Sequence, residues 1–224
     1  MIVARKKVKK IVIVNERCVA YINSLNTGNT PFLNELESTA RENRVPIIRR
    51  ETQTLLKFLL AAHKPKKILE IGAAVGFSSI LMAEYSGEDT HITTIENYEK
   101  RIPIAKSNME LSGYKDKITL LTGNAEDILP TLEPYFDMVF IDAAKAQYPY
   151  YLEEAARLLK NGGIVAADNC LQDGDIIESK FAVTRRDRTI HKRMRDFLYK
   201  MNHDERFTSV ILPLGDGVTL AVRN

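Results

Sequence analysis

Four oxygen-bearing side chains stand directly after apolar runs of the 224-residue chain, where a parallel sheet would collect them at one end. Asp142 follows FDMVFI, Asp168 and Asn169 follow GGIVAA, and Glu96 closes HITTIE. Two carboxylates and an amide oxygen are hard ligands suited to Mg2+, Mn2+ or Ca2+, and three protein ligands leave octahedral positions for other oxygens. Lys145, three residues after Asp142, is within reach of the same place as a base. Glu96 can accept hydrogen bonds from both hydroxyls of a ribose, while Asn124 and the backbone of Ala125, in GNAED after a third run, can read an adenine edge. Taken one at a time, these residues have plainer readings: Asp142 and Asp168 as helix N-caps, Asp168-Asn169 as turn formers, Lys145 as a solvated lysine.

A second constellation is the loop ILEIGAAVGFSS at 68–79. Its apolar run is a buried strand, Gly72 and Gly76 let a ligand approach the backbone, and Ser78 and Ser79 open a helix whose free N–H groups favour an anion. A dinucleotide fingerprint would need glycine at 72, 74 and 77, but the chain has Ala74 and Phe77, which disfavours NAD. The remaining pattern, Glu70-x-Gly72-x-x-x-Gly76 with Glu96 ending the next strand, resembles the S-adenosylmethionine loop of class I methyltransferases. A tight strand-to-helix turn in some other α/β protein is the competing reading.

The elements that must position these residues alternate in type. Strands are expected at 67–71, 91–96, 117–121, 136–141 and 163–167 with helical patterns between them, as in βαβ units. Helices near 15–25, 31–44 and 50–62 precede them, the second opened by Thr30 as N-cap and Pro31 at the first helical position. A basic helix near 188–202 and two further strands, FTSVILPL and GVTLAV joined through Gly215-Asp216-Gly217, follow and predict an antiparallel edge. With 45% hydrophobic residues, residues 1–224 are read as one domain with an N-terminal helical extension at 1–45 and a basic segment at 180–202. Cys18 and Cys170, without C-x-x-C spacing, fit a reducing cytoplasm. RKKVKKIVIV at 5–14 is too short in its apolar part for a signal peptide or membrane span, and His63, His91, His191 and His203 read as structural or surface residues.

The series ILEIGAAVGFSS, TIE, GNAED, IDAAKAQYPYYL and AADN, in this order, is similar to the cation-dependent O-methyltransferase family that includes catechol and caffeoyl-CoA O-methyltransferases. The resemblance covers roughly residues 30–224 and is most specific in its D-A-x-K-x-x-Y and D-N motifs. It implies a class I methyltransferase fold of seven strands, the last antiparallel, often as a homodimer. It also implies that Asp142, Asp168 and Asn169 bind the divalent cation, that Lys145 is the catalytic base, and that Glu96 and Gly72 hold the ribose and methionine parts of S-adenosylmethionine. Arg49, Arg50 and Glu51 depart from the acidic, glycine-containing stretch of plant members.

The chemistry asks for vicinal oxygens on the acceptor, one of them ionisable, which both a catechol and a 5-hydroxyuracil ring supply. Residues 180–195 hold Lys180, Arg185, Arg186, Arg188, Lys192, Arg193 and Arg195 against Asp187, a net +6 in a chain whose total is +3. Such clustering is the footprint of a phosphate-backbone contact, with a solvated, solubilising face as its alternative. The TRRDRTIH core of this segment resembles bacterial members of the family that methylate 5-hydroxyuridine at the tRNA wobble position to 5-methoxyuridine. tRNA is therefore the expected partner, contacted by Arg185, Arg186, Arg188 and Lys192, and no membrane is expected. The alternatives are a small catechol or phenolic acceptor, or a non-catalytic RNA-binding module, the latter disfavoured by the intact Asp142, Lys145, Asp168 and Asn169 set.

Overall fold

A computed structural model describes residues 14–224; the basic residues Arg5, Lys6, Lys7, Lys9 and Lys10 and the apolar run after them as far as residue 13 lie outside the described residues. Seven strands build one sheet: β1 (Lys67–Ile71), β2 (His91–Glu96), β3 (Ile118–Thr122), β4 (Phe136–Ile141), β5 (Leu159–Ala167), β6 (Phe207–Leu212) and β7 (Val218–Arg223). Their order is β3-β2-β1-β4-β5-β7-β6, with β1 to β5 parallel and β7 antiparallel to both β5 and β6. The expected antiparallel pairing at this edge is thus made by β7, slotted between β5 and the outermost β6.

Eight helices, α1 (Glu16–Ser24), α2 (Pro31–Glu42), α3 (Arg50–His63), α4 (Phe77–Tyr85), α5 (Ile102–Leu111), α6 (Ala125–Ile128), α7 (Tyr148–Leu158) and α8 (Arg188–His203), accompany the strands among the described residues. The central strands are apolar on both faces, and each face has its own core. In β4, Met138 and Phe140 join Leu33, Leu56, Leu60, Ile80 and Leu81 under α2, α3 and α4. Val139 and Ile141 point the other way, onto Tyr148, Leu152, Met194 and Phe197 of α7 and α8. Burying each such side chain is worth about 1.5–3 kcal/mol, so a helix period on the flanks and continuous apolar strands in the middle are mutually required. No described helix is long and apolar enough to cross a membrane.

Three local expectations shift. β3 begins at Ile118, one residue late, because Lys115–Lys117 close a 3-10 turn first. β5 begins at Leu159, since Leu159 pairs with Phe136 across an irregularity before the regular ladder resumes at Ile164. Thr30 does sit at the N-cap of α2, but its hydroxyl donates to Glu84 Oε2 at 2.9 Å and makes no capping bond. The reversal of strand order between β1 and β4 leaves a crevice at their carboxyl ends, the usual ligand position in such sheets.

Candidate active site

A cleft of about 490 Å3 opens at that crevice, and Gly72, Glu96, Ala125, Asp142, Lys145 and Asn169 all line it. The sheet ladder runs one residue past each strand, which is what holds their backbones. Gly72 N–H donates to Ile95 O at 3.0 Å, Asp142 N–H to Ile71 O at 3.0 Å, and Asp168 N–H to Ile141 O at 2.9 Å. Gly72 has φ +106°, and a Cβ there would collide with the Asp142 carbonyl. Only glycine permits this crossing of the β1 and β4 ends. Glu96 Oε2 accepts the Ala74 N–H at 2.7 Å, and its Oε1 accepts the N–H groups of Asn97 at 3.0 Å and Tyr98 at 2.8 Å. That fixes a carboxylate at the cleft wall with about one lone pair, on Oε2, to spare.

The acidic strand ends behave as an incomplete coordination set. Asp168 is 1% exposed; its Oδ1 accepts from Thr52 Oγ1 at 3.2 Å and from Asn169 N at 2.8 Å, while its Oδ2 is buried without a partner. Burial, with Asp142 adding to it, pushes the Asp168 carboxyl up to about 7, against the bonds from Asn169 and Thr52. Burial also raises Asp142, opposed by the Asn169 amide and Lys145. Asn169 takes φ +57°, which asparagine tolerates, and donates Nδ2 to Asp142 Oδ1 at 3.0 Å. Its amide oxygen makes no hydrogen bond among the described residues. Two neighbouring carboxylates, one with a stranded oxygen, and a free amide oxygen fit a hard divalent cation, which would satisfy the orphan atom and favour ionisation of both acids.

Other expected residues work one layer back. Glu70 is fully buried, and its Oε2 accepts the hydroxyls of Ser79 and Thr94, so it does not face the cleft. Burial nonetheless pushes Glu70 up to about 7, against the neighbouring hydroxyls of Ser78, Ser79 and Thr94. These groups tie the start of α4 to β1 and β2. Gly76 caps α4 at φ +85°, packed against Met109 and Ala105 of α5. Asn124 pairs with Asn97 Nδ2 at 2.9 Å and with Asp127, outside the cleft lining. Tyr148 of D-A-x-K-x-x-Y is buried, and its hydroxyl donates to Asp168 O at 2.8 Å. Arg49 pairs with Asp173, Arg50 with Glu37, and Glu51 accepts from Asn23.

Sequence reasoning passed over Pro46, Tyr98, Arg101 and Tyr151, which complete the cleft wall, and Thr52. The four histidines each bond a backbone carbonyl or hydroxyl: Asp137 O, Thr119 Oγ1, Glu178 O and Tyr199 O. Along α8, Met194, Phe197 and Met201 are buried, while Arg188, Lys192 and Arg195 line a second, shallower cavity with Lys180 and Phe181. Phe181 is 72% exposed, with the Lys180 ammonium 5.1 Å and the Arg188 guanidinium 5.6 Å from its ring centre. Arg185 and Arg186 stand exposed beside it, outside its lining.

The chain is similar to known proteins. The catechol O-methyltransferase of Mycobacterium tuberculosis is 32% identical over 161 residues, covering 70% of this chain and 73% of that protein. The caffeoyl-CoA O-methyltransferase of Populus kitakamiensis is 32% identical over 174 residues, 75% of this chain and 74% of that one. Among solved structures, the Streptomyces achromogenes O-methyltransferase TomG, involved in tomaymycin synthesis and solved in complex with S-adenosylmethionine, superposes with a TM-score of 0.79 at 28% identity, over 93% of this chain and 96% of that one. The O-methyltransferase family profile matches residues 23–224. Since that match starts inside α1 and takes in every strand and both acidic strand ends, the chain belongs to the O-methyltransferase family.

Proposed function

We propose that this enzyme transfers the methyl group of S-adenosylmethionine to one of two vicinal oxygens on a phenolic acceptor of the catechol or caffeoyl type, with a divalent cation held by Asp142, Asp168 and Asn169. The observation that carries the reading is the buried, partnerless Oδ2 of Asp168, next in sequence to the cleft-lining Asn169. Glu96 takes the ribose, the open backbone at Gly72 admits the methionine end, and the backbone at Ala125 meets the adenine edge, with Asn124 standing outside the lining. A bound divalent cation supplies a fixed point for two adjacent oxygens and lowers the pKa of the one to be methylated. Lys145, at the same wall, removes that hydroxyl's proton, and the walls hold the oxygen in line with the methyl carbon. The names of the relatives support a small acceptor.

One observation favours a second acceptor. The cationic cavity with its exposed Phe181 combines charge for phosphates with a face for stacking, which supports 5-hydroxyuridine at the tRNA wobble position. We further propose a homodimer, in which a second copy covers the apolar groove of Ile22, Leu25 and Phe58 between α1 and α3. Purified protein with S-adenosylmethionine and Mg2+ is to be given a catechol or tRNA carrying 5-hydroxyuridine, with and without chelator, and the products weighed by mass spectrometry. Methylated catechol that disappears on chelation is the expected result. Methylated tRNA alone would transfer the function to the second reading, and full turnover after exhaustive chelation would refute the cation.

A further inference from the structure

Asp216 is a charged residue at the tip of a hairpin turn, yet it is only 4% exposed. The turn is pinned against the segment that follows Asp168 and Asn169: Leu171 N–H donates to Asp216 O at 2.8 Å and Cys170 N–H to Gly217 O at 2.9 Å. Gly217 has φ +83°, and a Cβ there would collide with Leu171, so the turn and that segment are in direct contact. Within this setting the Asp216 carboxylate is used at both ends. Its Oδ1 accepts the Asp173 N–H, and its Oδ2 pairs with Lys145 Nζ at 3.5 Å. Asp173 is bound in turn by Arg49 at 2.9 Å. Asp216 does not line the cleft, whereas Lys145 does.

We propose that Asp216 is the positioning residue for Lys145, holding its Nζ at the cleft wall and balancing the charge that Nζ acquires in the reaction. The inference rests on Lys145 being the base. In the step, the acceptor O–H breaks and its proton forms an N–H bond on Nζ. The oxygen pair forms the O–CH3 bond, and the C–S bond breaks with its electrons going to sulfur. The resulting ammonium then lies beside the Asp216 carboxylate, itself only 4% exposed, where such a pair is stronger than in water. A turn former that merely satisfies the Asp173 N–H would do none of this.

Asp216→Asn separates the two roles, because the amide keeps an oxygen for the Asp173 N–H and nearly the same shape but loses the charge. Turnover of whichever acceptor is methylated should fall roughly tenfold, a fraction of what a general base contributes. Acceptor KM and S-adenosylmethionine affinity, the latter read by calorimetry as a check on folding, should stay within about twofold of wild type. In a Lys145→Ala background the same change should cost little more, since coupled residues are not additive. Asp216→Glu, keeping the charge, should recover part of the lost rate. An unchanged kcat in Asp216→Asn overturns the proposal, as does an equal loss in both backgrounds or a glutamate variant as slow as the asparagine one with cofactor affinity intact. A silent Lys145→Ala removes the base assignment and this inference with it, whereas a defective Lys145→Ala beside a silent Asp216→Asn removes Asp216 alone.

Discussion

Tyr148→Phe deletes one oxygen atom and tests whether the proposed cation-binding end of β5 is held from behind. The phenol is fully buried, its ring stands edge-on to Phe197 at 5.3 Å and 83°, and its hydroxyl donates to Asp168 O at 2.8 Å. Burial holds its ionisation well above the ordinary tyrosine range, so it remains a donor at any working pH. Phenylalanine keeps the ring and its packing, and leaves the Asp168 carbonyl with only the distant Cys170 thiol at 3.7 Å. A buried carbonyl stripped of its donor costs about 1–3 kcal/mol. Taking about 2 kcal/mol, and about 2–4 °C per kcal/mol for a chain of this size, the melting temperature should fall by roughly 4–8 °C. If the same residue offers its carboxylate to a cation, as proposed, the Mg2+ concentration needed for half-maximal turnover should rise roughly tenfold, the scale for losing a group that orients a ligand. Thermal melts with and without Mg2+, and a Mg2+ titration of activity, read both. A variant melting within about 1 °C of wild type with an unshifted titration would refute the coupling of Tyr148 to the site.

Gly72→Ala should destabilise the fold by about 3 kcal/mol or more and weaken both S-adenosylmethionine and Mg2+ binding, since the new methyl group strikes the Asp142 carbonyl at a strained φ; melts and calorimetry check it. Without cation, the folded Asp168 carboxyl titrates near 7, above its unfolded value of 3.8, so the stability it contributes is complete below about pH 4 and lost as pH rises through 7. Cation binding must displace that proton below pH 7, so the gap in melting temperature with and without Mg2+ should widen from pH 5 to 7 and then level off; a gap independent of pH would count against Asp168 as a ligand. Neutralising Arg185, Arg186, Arg188 and Lys192 together should weaken tRNA binding and flatten its salt dependence, by roughly one unit of slope for each phosphate that is no longer neutralised, leaving any activity on a free catechol intact. Undiminished tRNA methylation in that variant would leave the basic face a solvated one.

The legible part of this chain was what short-range physics decides. The apolar runs at 67–71, 91–96 and 136–141 are strands over those same residues, each buried along most of its length. β5 was harder: Lys160-Asn161-Gly162-Gly163 has a turn's composition, and only the pairing of Leu159 with Phe136 draws it into the sheet. Position at a strand end identified Asp142, Asn169 and Glu96, which line the cleft, and Asp168, which is buried outside its lining, since the ladder itself delivers them there. It misplaced Glu70 and Ser78 at the ligand, because a single sequence does not reveal that Ser79 and Thr94 already meet that carboxylate. Asp216 read as a hairpin residue; its meeting with Lys145 depends on β7 inserting beside β5, a long-range event with no local signature.

The register of β4 against β5, Ile141 opposite Ala167, sets the reactive centre at the pitch of the sheet. Asp142 and Asp168 are the next residues along, so their separation derives from the ~4.8 Å spacing of neighbouring strands, a ruler that does not depend on any particular loop. What surrounds them is different in kind: the stretch before α3 and the exposed Lys180–Phe181 stretch before α8 lie outside the ladder that sets this spacing. Such a scaffold can exchange its clientele by redrawing the rim while the chemistry stays in tune. Substitutions that change which hydroxyl-bearing molecule is accepted should therefore concentrate in those two segments and leave the strand-end carboxylates in place.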